Sequence, residues 1–424
     1  MISIIRADGT AEQRQLDAMR ARAAEKNIDI EQAVRQIMED VRVRGLDAVA
    51  EYSQRFDGTQ PYEISQEQLD SAYQSCSPEL IRALEHARDN IRDYNKKLLS
   101  ETKEWISPDG GRVGRIVRGM SRVGIYVPGG TAAYPSSVLM NAVPAEVAGV
   151  EEIIMVTPPT ENLSAPVLAA AKIAGVDRVI AVGGAQAVAA LTYGAGFIPR
   201  VDKLVGPGNA FVAAAKRLAY GSLDIDMVAG PSEVLVIADD TASAKYVAAD
   251  LLSQAEHDKL ASAVLLTDSM ELARKVDQEL VRQTEYLSRS EIMETSLRDF
   301  GCIIVCDDLA RCVDLANEVA PEHLEIVTRQ PRTLLPDIKN AGAVFLGSYT
   351  PEPLGDYLAG PDHVLPTSGT ARFFSPLSVE SFLKTMSVLE FDREALEPIS
   401  GEIITLAQTE KLTAHANSIR VRFE

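Results

Sequence analysis

The 424-residue sequence has no apolar stretch of membrane-spanning length and no excess of positive charge. Its most apolar segment, 164–176, is interrupted by Lys172, whereas a spanning helix needs about 20 apolar residues. The N-terminal segment meets Arg6 and Asp8 before any run that could act as a signal peptide. A net charge of −19 disfavours nucleic acid and anionic lipid, because phosphates would be repelled. We expect a cytoplasmic protein that binds neither.

Cysteine is scarce, with four residues in the chain. Three of them form the spacing Cys-x3-Cys-x5-Cys at Cys302, Cys306 and Cys312, which could suggest a metal site. However, the first two flank Ile303-Ile304-Val305, a run typical of a buried strand. We interpret these cysteines as small apolar core residues in a reducing compartment.

Several common catalytic motifs are absent: the G-x-S-x-G elbow, the Walker A loop and the H-E-x-x-H helix. The segments 182–191 and 205–217 each end a strand, turn on glycine and open a helix, and backbone amides at such turns can bind phosphate. Neither turn matches G-x-G-x-x-G. Any NAD site would therefore be non-standard.

One stretch reverses the acidic character of the chain. Residues 110–145 contain no Asp or Glu but carry Arg112, Arg115, Arg118 and Arg122. They could receive an anionic ligand, or they could pair with acidic helices.

The order of apolar patterns predicts an α/β protein of at least two domains. Residues 10–105 have helical spacing, and from about residue 121 short apolar runs alternate with helical segments. The runs are 123–127, 152–157, 177–182, 202–206, 233–239, 262–268, 302–308, 324–328 and 341–347. This alternation indicates largely parallel sheets with helices on both faces. Nine strands exceed one compact sheet, so we divide them into two units that meet near 228–235.

The segment 348–376 has turn chemistry and no periodic pattern. Loops longer than about 12–15 residues are usually functional or disordered, and this one is too apolar for a disordered linker. We therefore interpret it as a functional loop. The last stretch, 377–424, returns to helical spacing.

The histidines are the most informative polar residues, and there are five of them: His86, His257, His323, His363 and His415. His257 follows Gln254 by three residues, so the two share a helical face and could bind one cation; His257 could equally cap the helix. Glu322 and His323 follow a proline at a helix–strand junction. A carboxylate beside an imidazole can supply two proton-transfer groups, or it can be an ordinary turn pair.

The remaining candidates are weaker by spacing alone. Asp356 and His363 lie in the long loop, where polar residues commonly face water. Glu410 and His415 are five apart, so on a helix they point about 140° apart and need not serve one atom. His86 lies on a charged helix and is interpreted as a surface residue.

Taken together and in order, the motifs resemble the histidinol dehydrogenase family over nearly the whole chain. The matching segments are GIYVPGGTAAYPSSVLMNAVPA, GGAQAVAALTYG, DKLVGPGNAFV, DMVAGPSEVLVIAD, DLLSQAEH, NEVAPEHLEI, GDYLAGPDHVLPT and LTAHANSIR. The resemblance implies an NAD-dependent four-electron oxidoreductase of histidine biosynthesis. It would convert L-histidinol through L-histidinal to L-histidine with two NAD.

The resemblance also implies a zinc site, one per subunit. Its ligands would be Gln254, His257, Asp356 and His415, with His415 supplied by the neighbouring subunit of an intertwined homodimer with shared active sites. Such nitrogen and oxygen donors suit zinc, which would anchor the substrate nitrogens.

Further roles follow from the same resemblance. His323 would be the general base, and Glu322 would activate water against the aldehyde. Ser232 and Glu410, together with His323 and the metal ligands, would hold the substrate. Tyr126, Gln186 and Asn209 would contact NAD.

We expect two Rossmann-like, incomplete parallel-sheet domains with helical N- and C-terminal segments. The predicted parts are an N-terminal arm (1–20), a first α/β domain with the metal and catalytic residues (21–120 with 236–377), a second, NAD-binding α/β domain (121–235) and a C-terminal helical tail reaching the partner (378–424).

Two other functions remain open at this point. One is a paralogous zinc- and NAD-dependent dehydrogenase of another small polar alcohol, since a fold can be shared while the substrate changes. The other is a non-enzymatic NAD- or metal-binding regulator, which would have little reason to keep Glu322 and His323 beside a complete ligand set.

Overall fold

The computed structural model describes residues 2–24, 28–129, 134–159, 163–228 and 230–424. Residues 130–133 and 229, which belong to two of the matching segments, lie outside the described residues. In chain order the strands are β1 (Ser3–Arg6), β2 (Tyr62–Ile64), β3 (Lys103–Ile106), β4 (Arg112–Gly119), β5 (Arg122–Tyr126), β6 (Glu152–Thr157), β7 (Arg178–Ala181), β8 (Lys203–Val205), β9 (Asp224–Ile225), β10 (Glu233–Ala238), β11 (Ser262–Thr267), β12 (Cys302–Val305), β13 (His323–Val327), β14 (Ala343–Leu346) and β15 (Leu383–Glu390).

The helices surround these strands. They are α1 (Ala11–Ala24), α2 (Ile28–Arg44), α3 (Leu46–Asp57), α4 (Gln66–Ser75), α5 (Pro78–Leu98), α6 (Pro135–Val147), α7 (Ala165–Ile173), α8 (Gly184–Tyr193), α9 (Ala210–Ala219), α10 (Ala244–Ala255), α11 (Met270–Thr284), α12 (Ser290–Phe300), α13 (Leu309–Val319), α14 (Glu352–Tyr357), α15 (Arg393–Leu396), α16 (Ser400–Thr409) and α17 (Thr413–Arg420). None of these described helices is long and apolar enough to cross a membrane.

Two six-stranded sheets form the centre of the molecule. Sheet I has the order β2-β7-β6-β5-β8-β9, and sheet II has the order β1-β12-β11-β10-β13-β14. All neighbours are parallel except the edge pair β2–β7. In each sheet the chain first adds strands on one side of a central strand and then crosses over to add strands on its other side. The strand order therefore reverses between β5 and β8 in sheet I and between β10 and β13 in sheet II. The predicted α/β class with two parallel-sheet units is confirmed, and each of the nine predicted runs overlaps a strand.

Both faces of each sheet are covered, which explains why the strands are apolar at nearly every position. In β10, Val234 and Val236 pack against α10–α12, while Leu235 and Ile237 face the opposite side with α13. Successive side chains of a strand point to opposite faces. The apolar runs that dominate the sequence therefore become fully buried central strands.

The packing of the N-terminal helices differs from the predicted grouping of 21–120 with 236–377. Helices α2 and α3 bury residues such as Val34 and Val41 on one face of sheet I, and α4 and α5 bury Leu69 and Ile91 on the other. Helical periodicity identifies the apolar face of a helix, but it does not identify the sheet that the face covers. The first residues also do more than form an arm, because β1 pairs with β12 at the edge of sheet II.

A small antiparallel sheet, β15-β4-β3, was not predicted. The expected helix up to residue 105 gives way to β3. In the expected helical tail from 378, a short 3-10 turn is followed by β15, which pairs with β4 along its whole length. These strands form by pairing between distant segments, which local periodicity cannot reveal. Arg112 of β4 lies near two acids, 3.8 Å from Glu104 and 3.6 Å from Glu390. This arginine therefore pairs with acidic residues, although they lie on strands rather than on helices.

The C-terminal helices α16 and α17 pack against each other. Within the described residues, the hydrogen bonds and ion pairs of 392–424 join residues of that segment to one another. Apolar side chains, including Leu406 at 67% exposure, remain in contact with solvent there. The segment therefore extends from the two sheets with little to cover it.

Candidate active site

A cleft of about 420 Å³ lies between the two sheets. From sheet I it is lined by residues that follow strands, such as Pro128 after β5 and Gly206 after β8. From sheet II it is lined by residues that precede or open strands, such as Ser232 before β10 and Glu322 before β13. Sheet I thus contributes the carboxyl ends of its strands, where α/β proteins usually bind ligands. Sheet II contributes the opposite, amino ends.

Glu322 and His323 are held together by the backbone of Glu233 on the neighbouring strand. The Glu233 amide donates to Oε2 of Glu322 at 2.8 Å, and the Glu233 carbonyl lies 3.0 Å from Nδ1 of His323. Because a carbonyl only accepts, Nδ1 carries the imidazole proton and Nε2 is left with its lone pair. Nε2 is buried and has no hydrogen-bond partner within the described residues. The imidazole is therefore oriented to accept a proton.

Burial shifts both groups toward their neutral forms. It lowers the pKa of His323 to about 4, against a small opposing effect of the Glu233 carbonyl. It raises the pKa of Glu322 well above its usual range, and the Glu233 amide only partly offsets this. A neutral imidazole near pH 7 is available as a base, and the ionised form of a carboxyl with a raised pKa is a stronger base than an ordinary carboxylate.

Gln254 and His257 lie at the end of α10, as their spacing predicted. Gln254 is fully buried, yet neither its amide oxygen nor its amide nitrogen has a hydrogen-bond partner in the described structure. An unsatisfied buried polar group costs about 1–3 kcal/mol, so this side chain is suited to a ligand that is not part of the chain. The His257 amide donates to the Gln254 carbonyl at 3.1 Å, which places both side chains at the cleft.

Asp356 faces them from α14, the one helix in the segment predicted to be a functional loop. Its neighbour one turn earlier, Glu352, was missed by the sequence reasoning. Ligand atoms of His257, Glu352 and Asp356 all lie within 4.8 Å of one another. Burial raises the pKa of Asp356 to about 6 and that of Glu352 to about 8. The four-residue spacing of the two acids on a short helix was the available signal.

The donor set therefore fits a zinc ion. It offers imidazole nitrogen, carboxylate oxygen and an amide oxygen that lacks an internal partner, all of which zinc or a similar borderline metal accepts.

His363 lies behind Asp356: its Nδ1 is 3.1 Å from the Asp356 carbonyl and its Nε2 is 3.3 Å from the Ser137 hydroxyl. His363 therefore links the segment 348–376 to α6, which packs on sheet I.

The cleft brings together six of the predicted residues: Ser232, Gln254, His257, Glu322, His323 and Asp356. Two others, Glu410 and His415, do not line it. Both are exposed at the C-terminal helices, Glu410 after α16 and His415 on α17. A single chain therefore presents an incomplete version of the predicted site.

The three predicted NAD-contact residues lie at the carboxyl end of sheet I. The Tyr126 hydroxyl accepts from the Gly184 amide at 3.0 Å, and Gln186 is buried on α8, where its amide nitrogen donates to the Asp57 carboxylate at 3.4 Å. Asn209 caps α9, accepting from the amides of Phe211 and Val212. Gln186 and Asn209 belong to the strand–turn–helix units recognised in the sequence, and Tyr126 ends β5.

A buried ion pair fixes the turn at Gly206, and it was also missed. Lys216 on α9 donates to the Gly206 carbonyl at 2.9 Å and to the carboxylate of Asp226. The other carboxylate oxygen of Asp226 accepts from the Gly206 amide at 2.8 Å. Gly206 itself has φ of +100°, and a Cβ there would lie 2.2 Å from the Tyr126 carbonyl oxygen. The ion pair thus holds in place, beside the cleft, a turn that only glycine can form without strain.

Three known proteins that are similar to this chain share one description. A family profile described as histidinol dehydrogenase matches residues 20–423. The chain is 51% identical to the histidinol dehydrogenase of Clostridium acetobutylicum, covering 100% of this chain and 99% of that protein. It is 55% identical to that of Caldanaerobacter subterraneus subsp. tengcongensis, covering 94% of each. The crystal structure of histidinol dehydrogenase from Elizabethkingia anophelis matches with a TM-score of 0.94 at 34% identity, covering 100% of this chain and 98% of that one.

Proposed function

The chain belongs to the histidinol dehydrogenase family, and we propose from this that it oxidises L-histidinol through L-histidinal to L-histidine, reducing two NAD. The family is one of NAD-dependent oxidoreductases of histidine biosynthesis. The observation that carries the residue assignment is the imidazole of His323, whose Nδ1–H is held by the Glu233 carbonyl while its buried Nε2 has no hydrogen-bond partner among the described residues.

In the first oxidation, His323 takes the proton of the substrate hydroxyl on Nε2 as the carbon loses hydride. The pKa of about 4 keeps this imidazole neutral before the step. Since Nδ1 stays bonded to the Glu233 carbonyl, the imidazolium formed in the step keeps one of its two donors satisfied. The product of the step is the aldehyde.

In the second oxidation, Glu322 takes a proton from a water molecule that adds to the aldehyde carbon. Addition of the resulting hydroxide leaves the oxyanion of the hydrate, which loses a second hydride to NAD and becomes the carboxylic acid. This route needs no thiol nucleophile. Cys302, Cys306 and Cys312 are buried and Cys76 is partly buried, which disfavours a thiohemiacetal.

Zinc, when bound, would anchor the imidazole and amine nitrogens of the substrate. It would be held by Gln254, His257, Asp356 and His415 of the partner subunit, one ion per subunit. Ser232, and Glu410 of the partner subunit beside that histidine, would add hydrogen bonds to the substrate. His323, which lines the cleft, would then face the hydroxyl-bearing carbon of the substrate.

NAD would accept hydride from the sheet I side, where Tyr126, Gln186 and Asn209 lie. Residues 121–235 contain these contacts, whereas 236–377 contain the catalytic pair and the metal ligands apart from His415. We further propose a homodimer whose tail, 378–424, reaches the partner, since His415 does not line the cleft of its own chain. Operation in the cytoplasm fits a chain whose cysteines are unpaired.

A direct assay is the yield of NADH. Zinc-loaded protein incubated with L-histidinol and NAD should form two NADH and one L-histidine per substrate consumed. One NADH per substrate with release of the aldehyde would contradict the role of Glu322. Turnover of another small polar alcohol, with none of L-histidinol, would instead favour the paralogous dehydrogenase.

A further inference from the structure

We propose that Glu352 completes, with Gln254, His257 and Asp356, a four-donor zinc site formed by one chain alone. A chain would thus take up zinc before His415 of a partner subunit is in place. This inference rests on the zinc of the proposed function and adds a ligand to it. It also gives zinc uptake a route that does not require an assembled dimer.

The four donors come in two pairs from two helices that pack together. Gln254 and His257 are three apart at the end of α10, and Glu352 and Asp356 are four apart on α14. Glu352 and Asp356 share one face of α14, and His257 lies in the turn that follows α10, with its amide bonded to the Gln254 carbonyl at 3.1 Å. The ligand atoms of His257, Glu352 and Asp356 lie within 4.8 Å of one another, so small side-chain rotations would bring them onto one ion with bonds of about 2.0–2.2 Å.

Two buried polar groups point independently to a cation at this place. Gln254 has 0% exposure and lines the same cleft as His257 and Asp356, and both of its amide atoms lack partners within the described residues. Glu352 has 2% exposure, and its Oε1 also has no hydrogen-bond partner there. Exposed acidic clusters commonly form without a metal, but a buried carboxyl oxygen and a buried amide without partners are costly, and one bound cation would satisfy both.

The other oxygen of Glu352 is already positioned. Its Oε2 accepts from the Ser253 hydroxyl at 3.2 Å, and its backbone amide donates to the Glu325 carboxylate at 2.9 Å. These two contacts fix α14 against α10 and β13. The Glu352 carboxyl group is therefore held near His257 and Asp356 by bonds that do not involve the metal.

His415 cannot fill this place within its own chain as folded here. It is exposed on α17 and does not line the cleft. Zinc favours four ligands in a closed site, and Glu352 supplies the fourth from within the chain. When His415 of a partner subunit arrives, it would join or replace Glu352.

Zinc affinity, measured by competition with a chromophoric chelator, tests the proposal without reference to turnover. The proteins are the wild type, His415→Ala, Glu352→Gln and the double variant. We expect each single variant to keep about one zinc per chain, because one of the two alternative ligands remains. The double variant should bind at least about 100-fold more weakly than His415→Ala, since even partners outside the ligand shell are worth about 10–100-fold.

A matched control separates ligation from helix positioning. Glu325→Gln combined with His415→Ala disturbs the bond to the α14 backbone but leaves every donor in place, so it should bind zinc far more tightly than the double variant. Cobalt loading gives a second readout, because the visible absorption of Co²⁺ reports the number and type of its ligands. Circular dichroism confirms that each variant is folded.

The outcomes are distinct. Equal zinc affinity of His415→Ala and the double variant would overturn the role of Glu352 and leave the proposed function intact. Zinc lost equally from Glu352→Gln/His415→Ala and Glu325→Gln/His415→Ala would assign Glu352 a positioning role and also overturn the proposal. A wild type that binds no zinc would refute the metal of the proposed function together with this inference.

Discussion

Replacing Lys216 by methionine tests the most deeply buried ion pair of the described structure. The side chains of Lys216 and Asp226 are only 4% and 2% exposed. Methionine fills most of the lysine volume but leaves the Asp226 carboxylate buried without its cation. Breaking a buried pair in this way costs about 3–5 kcal/mol, mainly through the uncompensated charge. We expect the free energy of unfolding of Lys216→Met to fall by that amount.

The neighbouring strand provides a matched control. Lys203 is also buried, at 7% exposure, and donates to Asp224 at 2.6 Å, but Asp224 is 45% exposed. Water can solvate that carboxylate once the lysine is gone, so Lys203→Met should cost only about 1 kcal/mol. Asp226→Asn placed on Lys216→Met removes the orphaned charge and should recover part of the loss.

Urea unfolding followed by circular dichroism measures these differences as shifts of the midpoint at constant slope. Because Lys216 also fixes the turn at Gly206 that lines the cleft, its variant should show a raised KM for NAD, whereas the KM of Lys203→Met should stay near that of the wild type. Equal destabilisation by Lys216→Met and Lys203→Met would refute the argument, since the two pairs differ chiefly in the burial of their carboxylates.

Three further outcomes are expected. His323→Asn should retain zinc but lose about 10²–10⁴-fold in kcat, the usual contribution of a general base; loss of zinc would show that His323 is a ligand instead. Mixing His323→Asn with His415→Ala chains should restore activity in the heterodimer, because one of its two sites is then intact, and an inactive, verified heterodimer would contradict shared sites. Burial raises the pKa of Asp250 to about 6, so the folded state binds its proton more tightly than the unfolded state and stability falls as pH rises from about 4 to about 6. Asp250→Asn should flatten that fall in urea midpoints between pH 4 and pH 6.5, and an unchanged slope would exclude this carboxyl as its source.

The parts of the fold that were predicted are those with a local signal. The run Glu233–Ala238 is apolar on both faces because α10–α12 and α13 cover both sides of sheet II, and such a run is visible in the sequence alone. The strands β4 and β15 carry no such signal, because their partners lie more than 250 residues apart in the chain. The same limit applies to α2–α5, whose apolar faces were recognised in the sequence but whose packing against sheet I was not.

The candidate site divides in the same way. Gln254 and His257 were visible as neighbours on one helical face, and the resemblance to a family added residues whose spacing alone was uninformative. Glu352 was overlooked because the segment around it was taken as an irregular loop, and the i, i+4 relation to Asp356 exists only once α14 forms. Lys216 was overlooked because a lysine in a helix is ordinarily solvated. Its burial depends on Asp226, which follows a strand in another part of sheet I.

The attachment of Glu322 and His323 to the backbone of Glu233 means that their alignment is not encoded by any one side chain. Replacing the Glu233 side chain leaves both the amide and the carbonyl in place, so a conventional scan of side chains would assign residue 233 no part in orienting the pair. Only a change of the main chain, such as proline at that position, would remove the donor to Glu322. The geometry of proton transfer is thus inherited from the register of two parallel strands, and it can persist while the sequence at that position changes.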